Sequence, residues 1–178
     1  MTVCIPSYQR AGEVLTVDFL EDAFSKQEVI IGTQCEDDYR KYSRLYGGKA
    51  TVIFKEGNCC SHNRNSLLEY CQQNGIEACL QLDDDIRYVR TMNGQKLTGK
   101  PFRELMEKCF DFAKRNKIDL FGSYATDNRL MMTRTVRTNF LVGMLLGIMD
   151  VSMRFDEKFL IKHDYELSLR MISQGRNV

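Results

Sequence analysis

Leu80-Gln81-Leu82 runs without a break into Asp83-Asp84-Asp85. Carboxylates packed this tightly repel one another, and a strand end that tolerates them calls for a cation. Oxygen-rich sites of this kind suit hard divalent ions, Mg2+ or Mn2+, held through one or two carboxylates and completed by substrate phosphates. That chemistry belongs to an enzyme that handles nucleotides. The competing reading is a solvated acidic turn, because charge runs commonly lie on surfaces.

Other segments carry side chains that match this chemistry. After Val3-Cys4-Ile5, Pro6 ends the ladder and exposes Tyr8 and Arg10. The aromatic can lie against a nucleobase, and the guanidinium can pair with a phosphate. Arg64 falls in the first turns of a helix opened near Ser61, by the positive helix end that favours a diphosphate. Capping by Ser61 or its neighbour explains that segment without a ligand. Asp164 stands where the last helix begins, either as an N-terminal cap or as a carboxylate able to take a proton from an attacking hydroxyl. Cys59, Cys60 and His62 miss the spacing and ligand count of a structural zinc site.

The elements that must position these groups alternate along the first half. Runs of β type at Val3–Ile5, Glu28–Gly32, Thr51–Phe54 and Ala78–Leu82 are separated by amphipathic segments at Glu13–Phe24, Glu36–Tyr46 and His62–Asn74. This is the pattern of βαβ units and a parallel sheet. Asp83 to Asp85 then fall at the carboxyl end of the fourth strand, where open α/β sheets place their ligands. Past the triplet the pattern changes. Asn93-Gly94 predicts a two-residue hairpin between Ile86–Met92 and Gln95–Leu97, and Pro101 predicts the first residue of a helix reaching Arg115. Strands follow at Ile118–Gly122, Met131–Val136 and Asn139–Met149, the last two antiparallel, and a helix at Tyr165–Ser173 is closed by Gly175. The expected architecture is a single α/β domain over residues 1–178: residues 1–85 for the nucleotide, residues 86–178 for the acceptor and base.

A chain of 178 residues with 43% hydrophobic composition can bury one core. No stretch approaches the roughly 20 apolar residues that span a bilayer, and the start lacks a basic region followed by a cleavage site. The seven cysteines are an odd number and Cys59 adjoins Cys60, which suits a reducing compartment better than a disulfide framework. A cytoplasmic location is expected. The net charge of +1 is unevenly spread, with 8 Lys and Arg against 14 Asp and Glu in residues 1–85, and 12 against 5 in residues 86–140.

Taken in order, these motifs resemble the GT-A glycosyltransferases, especially the inverting family 2. The family's Ile-Pro-x-Tyr-Asn-Arg-like turn corresponds to Ile5-Pro6-Ser7-Tyr8-Gln9-Arg10, and its Ala-Arg-Asn-like helix start to Asn63-Arg64-Asn65. Its Asp-x-Asp metal motif corresponds to Asp83-Asp84-Asp85, and its Glu-Asp-x-Asp-Leu-x-x-Arg-like segment to His163–Arg170. The resemblance implies a mixed, Rossmann-like GT-A sheet and a metal-dependent transferase that inverts the anomeric carbon. It implies that Pro6, Tyr8, Arg10 and Arg64 hold a nucleotide-sugar, a UDP-hexose, together with Asp83 and Asp84. Asp83 and Asp85 frame Mn2+ or Mg2+, with Asp85 the direct ligand, and Asp164 is the catalytic base; within the triplet itself, Asp84 is the member expected to be solvated.

The chain departs from the pattern in places. His163 replaces an acid, and packing is expected for it over metal binding. Gln9 stands where Asn is common, and Gly32-Thr33-Gln34-Cys35-Glu36-Asp37-Asp38 lacks the turn that carries a uracil-contacting Asp. The chain also stops at Val178, soon after the helix of Asp164, as a minimal catalytic domain or a segment of a longer protein.

Lys96, Lys100, Arg103, Arg129, Arg134 and Arg137 could form a basic wall on the acceptor side, and neutralising phosphates is the main sequence-independent source of nucleic-acid affinity. Arg129, Arg134, Arg137 and His163 are the expected acceptor contacts. With the resemblance, this is similar to phage-type enzymes that glycosylate hydroxymethylated pyrimidines in DNA. The alternatives are a glycan, lipid-linked or protein acceptor, and a catalytically silent module that binds nucleotide-sugar. A nucleotidyltransferase fits less well, because Pro6-Ser7-Tyr8 is no glycine-rich phosphate loop.

Overall fold

The computed structural model describes residues 1–124, 128 and 140–178. Thr2–Pro6 (β1), Val29–Thr33 (β2), Thr51–Phe54 (β3) and Cys79–Leu82 (β4) pair in parallel. Every residue of β2 and β4 is buried, as expected of strands covered on both faces. Val89–Arg90 (β5) and Lys96–Leu97 (β6) form a separate small hairpin. Leu120–Gly122 (β7) and Leu145–Ile148 (β8) complete the main sheet in the order β3-β2-β1-β4-β8-β7, with β8 antiparallel to both neighbours. The mixed α/β sheet expected from the residue pattern is present.

Period-two alternation divides the core. Val3 and Ile5 point to one face of β1 and Cys4 to the other. The first face is covered by Leu15–Leu20 (α1), Glu36–Tyr46 (α2) and Gly99–Asn116 (α4), through Phe19, Tyr42, Phe102 and Met106. The second is covered by Cys60–Gln73 (α3) and His163–Ser173 (α5), through Leu67, Leu68, Leu167 and Met171. A Cβ on Gly32 would lie 2.3 Å from Asn63 Oδ1 and 2.9 Å from Leu67 Cγ. Glycine is what lets α3 settle onto β2, and the Asn63 amide then donates to the carbonyls of Gly32 and Ser7 at 3.0 and 3.2 Å.

Several expectations change in detail. The expected helix over 13–24 ends at Leu20, because Glu21 takes a left-handed φ of 50° and only a 3-10 turn follows. The hairpin loop has three residues: the Gly94 N–H donates to the Thr91 carbonyl at 2.8 Å and Gly94 turns left-handed, the geometry of a type I turn with a bulge. Pro101 is the third residue of α4, still within the first turn, where no N–H is required. Of the strand expected over Asn139–Met149, Leu145–Ile148 is formed; Gly143 gives its carbonyl to Arg64 and its N–H to Asp164 rather than to a neighbouring strand, and Asn139 lies outside the described residues. The expected strand at Met131–Val136 lies outside the described residues.

Candidate active site

Asp83 leaves β4 with its backbone already committed. Its N–H donates to the Met144 carbonyl at 3.0 Å, extending the ladder with β8 by one residue. Its carbonyl accepts the Thr16 hydroxyl at 2.5 Å, and the Thr16 N–H donates to the Asp84 carbonyl at 3.2 Å. The same Thr16 hydroxyl accepts the Ile86 N–H at 2.9 Å. The triplet is therefore clamped by α1 and β8, unlike a solvated turn.

The three carboxylates face different partners. Asp83 accepts Arg64 Nη2 at 2.5 Å. Arg64 is buried, at 2% exposure, and also donates to Gln81 Oε1 at 3.1 Å and the Gly143 carbonyl at 2.9 Å, while its Nε is buried without a partner among the described residues. Gln81 returns a bond from its amide to the Arg64 carbonyl at 3.1 Å. Withdrawal from water pushes the Asp83 carboxyl up, and the Arg64 charge offsets only part of that shift. Asp84 was expected to be the solvated member; instead it accepts the Ser7 hydroxyl at 2.6 Å and Arg10 Nη1 at 3.1 Å. The parallel pairing of β1 with β4 brings the Pro6 turn beside it, which the triplet alone does not reveal. Asp85 has a side chain 56% exposed and meets Arg10 at 3.4 Å.

The turn after β1 is held from α2. The Tyr42 hydroxyl accepts the Arg10 N–H at 2.8 Å and bonds the Ser7 hydroxyl at 2.8 Å, while Asp38 accepts the Gln9 N–H at 2.8 Å. Gln9 sits at φ 54°, a left-handed position where Asn is favoured, and its amide donates to the Tyr8 hydroxyl at 3.0 Å. Tyr8 stays half exposed. Asp84, ahead of Asp85, raises the Arg10 pKa.

Asp164 is the second residue of α5, and Lys162 at φ 59° takes the cap position. Asp164 Oδ2 accepts the Gly143 N–H at 2.7 Å and Oδ1 the Tyr165 N–H at 3.0 Å. His163 packs edge-on against Phe155, centroids 5.5 Å apart, and Phe155 also underlies Arg64 at 5.8 Å. Burial, then the Arg64 charge, lowers the His163 pKa, against a smaller opposing pull from Asp164. At α3 the cap is Cys59, whose sulfur accepts the His62 N–H, while the Ser61 hydroxyl donates to the Phe159 carbonyl at 3.0 Å.

Among the described residues, the one group of three or more metal-type side chains with donor atoms within 4.8 Å of one another is Cys4, Cys71 and Cys79, buried in the core. The triplet does not converge in that way. An ion there would take oxygens of Asp85 and Asp83 and depend on donor phosphates for the rest, a donor set that fits Mg2+ or Mn2+. Of the expected basic wall, Arg103 is engaged by Glu28 at 2.8 Å and Glu107 at 2.9 Å, and Lys96 lies 4.0 Å over the Tyr88 ring. Arg103 faces back toward Ala23 and the 3-10 turn Lys26–Glu28 before β2, which removes it from the wall. Arg129, Arg134 and Arg137 lie outside the described residues. A cavity of about 130 Å³ beside Val29 and Lys49 opens at the other end of the sheet.

Ser7, Thr16, Asp38, Tyr42, Gln81 and Gly143 were not singled out from the residue pattern. Gln81 alone carried a signal: a polar side chain in a fully buried strand needs a buried partner. The others become visible only when the strands are paired.

A mixed, mainly parallel sheet that gathers a Pro-x-Tyr-x-Arg turn, an acidic strand end and a helix-opening Asp defines an α/β fold of GT-A type. Residues 1–178 match the family described as TET-Associated Glycosyltransferase, and the chain belongs to that family. A search of curated proteins found no match. Among solved structures it is similar to Staphylococcus aureus TarS residues 1–349, at 17% identity and TM-score 0.57, covering 95% of this chain and 54% of that one. The same protein in complex with UDP gives 17% identity and TM-score 0.56, covering 96% and 54%. A cytidylyltransferase from Leptospira borgpetersenii serovar Hardjo-bovis gives 16% identity and TM-score 0.53, covering 85% and 60%. The chain thus spans little over half the length of these structures, and the likeness shows the fold. No helix among the described residues is long and apolar enough to cross a membrane.

Proposed function

We propose that this chain transfers a hexose from a UDP-sugar, with inversion, to the hydroxyl of a hydroxymethylated pyrimidine in DNA. The observation that carries the transferase chemistry is the linkage of Asp164 to the Arg64–Asp83 pair through Gly143. It holds a candidate base and a candidate donor site in one rigid unit at the strand ends. The UDP complex of TarS supports the donor. The family's description as TET-associated and the basic stretch in residues 86–140 support the DNA acceptor.

Asp164 takes the proton of the acceptor hydroxyl as that oxygen bonds to the anomeric carbon. The bond from that carbon to the diphosphate oxygen breaks on the opposite side, and UDP leaves. Arg10, partly exposed and bound to Asp84 and Asp85, swings to the diphosphate, while Tyr8 lies against the base. Mg2+ or Mn2+, held by Asp85 and Asp83, would neutralise charge on the leaving diphosphate.

The test is a panel of UDP-sugars with manganese and duplexes containing hydroxymethylcytosine or hydroxymethyluracil. A hexose mass gain that collapses in Asp85→Ala and Asp164→Asn is the expected result. Transfer to a glycan, lipid or protein but to neither duplex would overturn the acceptor. Rates unchanged in both variants would overturn the site.

A further inference from the structure

Just before Asp164 the chain carries Lys158-Phe159-Leu160-Ile161-Lys162, and all five residues are exposed. Leu160 and Ile161 are 69% and 75% exposed, the highest values among the large hydrophobics of the described residues. Such a tip loses free energy in water, and a contiguous apolar patch rimmed by polar residues marks an interaction site. Here the rim is cationic on both sides.

The backbone below the tip is fixed. The Asn65 amide donates to the Phe155 carbonyl at 2.9 Å and accepts the Phe155 N–H at 2.8 Å. His62 and Asn65 both bond Glu157, at 3.1 and 2.9 Å, and Ser61 holds the Phe159 carbonyl. The tip is therefore presented outward by the first turns of α3, the same turns that carry Arg64 into the site. Lys162 closes it in a left-handed conformation. Beside Asp164, the rings of Phe140 and Tyr165 lie 5.8 Å apart, 49% and 38% exposed.

Resting on the DNA-acceptor reading above, we infer that Leu160 and Ile161 form a wedge that enters the base stack of a duplex and drives the target nucleotide out toward Asp164. Enzymes that do chemistry on a base extrude it from the stack, and apolar side chains inserted at a base step offset part of the unstacking cost. Lys158 and Lys162 contact the flanking phosphates, a complementarity that the acidic first half of the chain does not offer. Phe140 and Tyr165 supply a stacking face for the extruded base.

The experiment compares wild type with the double variant Leu160→Ser, Ile161→Ser, on one hydroxymethylcytosine sequence as duplex and as single strand. Both side chains are exposed, so the fold is retained. The wedge predicts that duplex transfer falls about 10- to 100-fold while single-strand transfer is unchanged. It also predicts that 2-aminopurine beside the target brightens when wild type binds the duplex, and stays dark with the variant. Equal rates on duplex for both proteins, or equal losses on both substrates, would overturn it. So would an intact duplex rate coupled to lost cosedimentation with phosphatidylserine vesicles, which would assign the tip to a membrane. If neither DNA accepts sugar but the 2-aminopurine response holds, the transferase reading falls and the wedge stands; a dark wild-type complex removes the wedge whatever the transfer result.

Discussion

Asp83 and Asp164 are joined through two residues, Arg64 and Gly143. Gly143 donates its N–H to Asp164 Oδ2 at 2.7 Å, and its carbonyl accepts Arg64 Nη2 at 2.9 Å, the nitrogen that also holds Asp83 at 2.5 Å. The acid expected to take a proton and the acid expected to frame the donor thus share one support. A shift of that peptide moves both.

Gly143→Ala tests this support. A Cβ there would stand 3.2 Å from Arg64 Nη2 and 3.4 Å from Asp164 Oδ2, so one or both must give by a few tenths of an ångström. Because misplacement of about 1 Å can cost on the order of 100-fold in rate, a smaller shift here should lower kcat about 10-fold. The unfolding midpoint should barely move. Turnover against each UDP-sugar, with thermal unfolding alongside, measures both; an unchanged kcat would remove Gly143 from the positioning role.

Arg64→Met should cost stability as well as activity. Breaking a buried charge pair costs about 3–5 kcal/mol, but Asp83 remains 34% exposed and water relieves part of its loss, so about 3 kcal/mol is expected. Urea unfolding reads the change in midpoint. A variant as stable as wild type would mean that Gln81 and Gly143 reorganise without the guanidinium.

Much of this arrangement was legible in the residues. The bounds of α2 and β3 match the expected Glu36–Tyr46 and Thr51–Phe54, because amphipathic and apolar periods there are uninterrupted. The position of the triplet at the end of β4 follows from the same alternation. What periodicity does not encode is which side chains cross between elements. Ser7, Tyr42 and Asp84 are far apart in sequence and meet only because β1 and β4 are neighbours and α2 packs over the end of β1. Gly143 left no trace, since its contribution is a peptide N–H and a carbonyl.

Asp84 and Asp85 should separate in kinetics. Asp84→Asn keeps an acceptor for Ser7 but removes the charge that holds Arg10, so the donor KM should rise about 10-fold with kcat largely kept. Asp85→Asn removes the most exposed oxygen donor of the triplet and should lower kcat and shift the metal activation curve to higher concentration. The two variants are compared in a titration of manganese at fixed donor. Matching defects would show that the triplet acts as one charge rather than as divided roles.

Glu28, away from the site, contributes to the acid limb of stability. Burial alone would push its carboxyl up, but bonds from Arg103 and from the Ser25 N–H and hydroxyl outweigh it and hold the pKa at about 2, below the ordinary 4.5. A depressed carboxyl stabilises the fold above pH 4.5, and that contribution is lost as the pH falls toward 2. With both side chains about a quarter exposed, the contribution at neutral pH is on the order of 2 kcal/mol. Glu28→Gln should therefore be less stable than wild type at pH 7, and the difference should shrink on titration to pH 3. Urea midpoints at both pH values make the comparison, and a gap that stays constant would show that the loss comes from packing of Arg103 on Phe24 and not from charge.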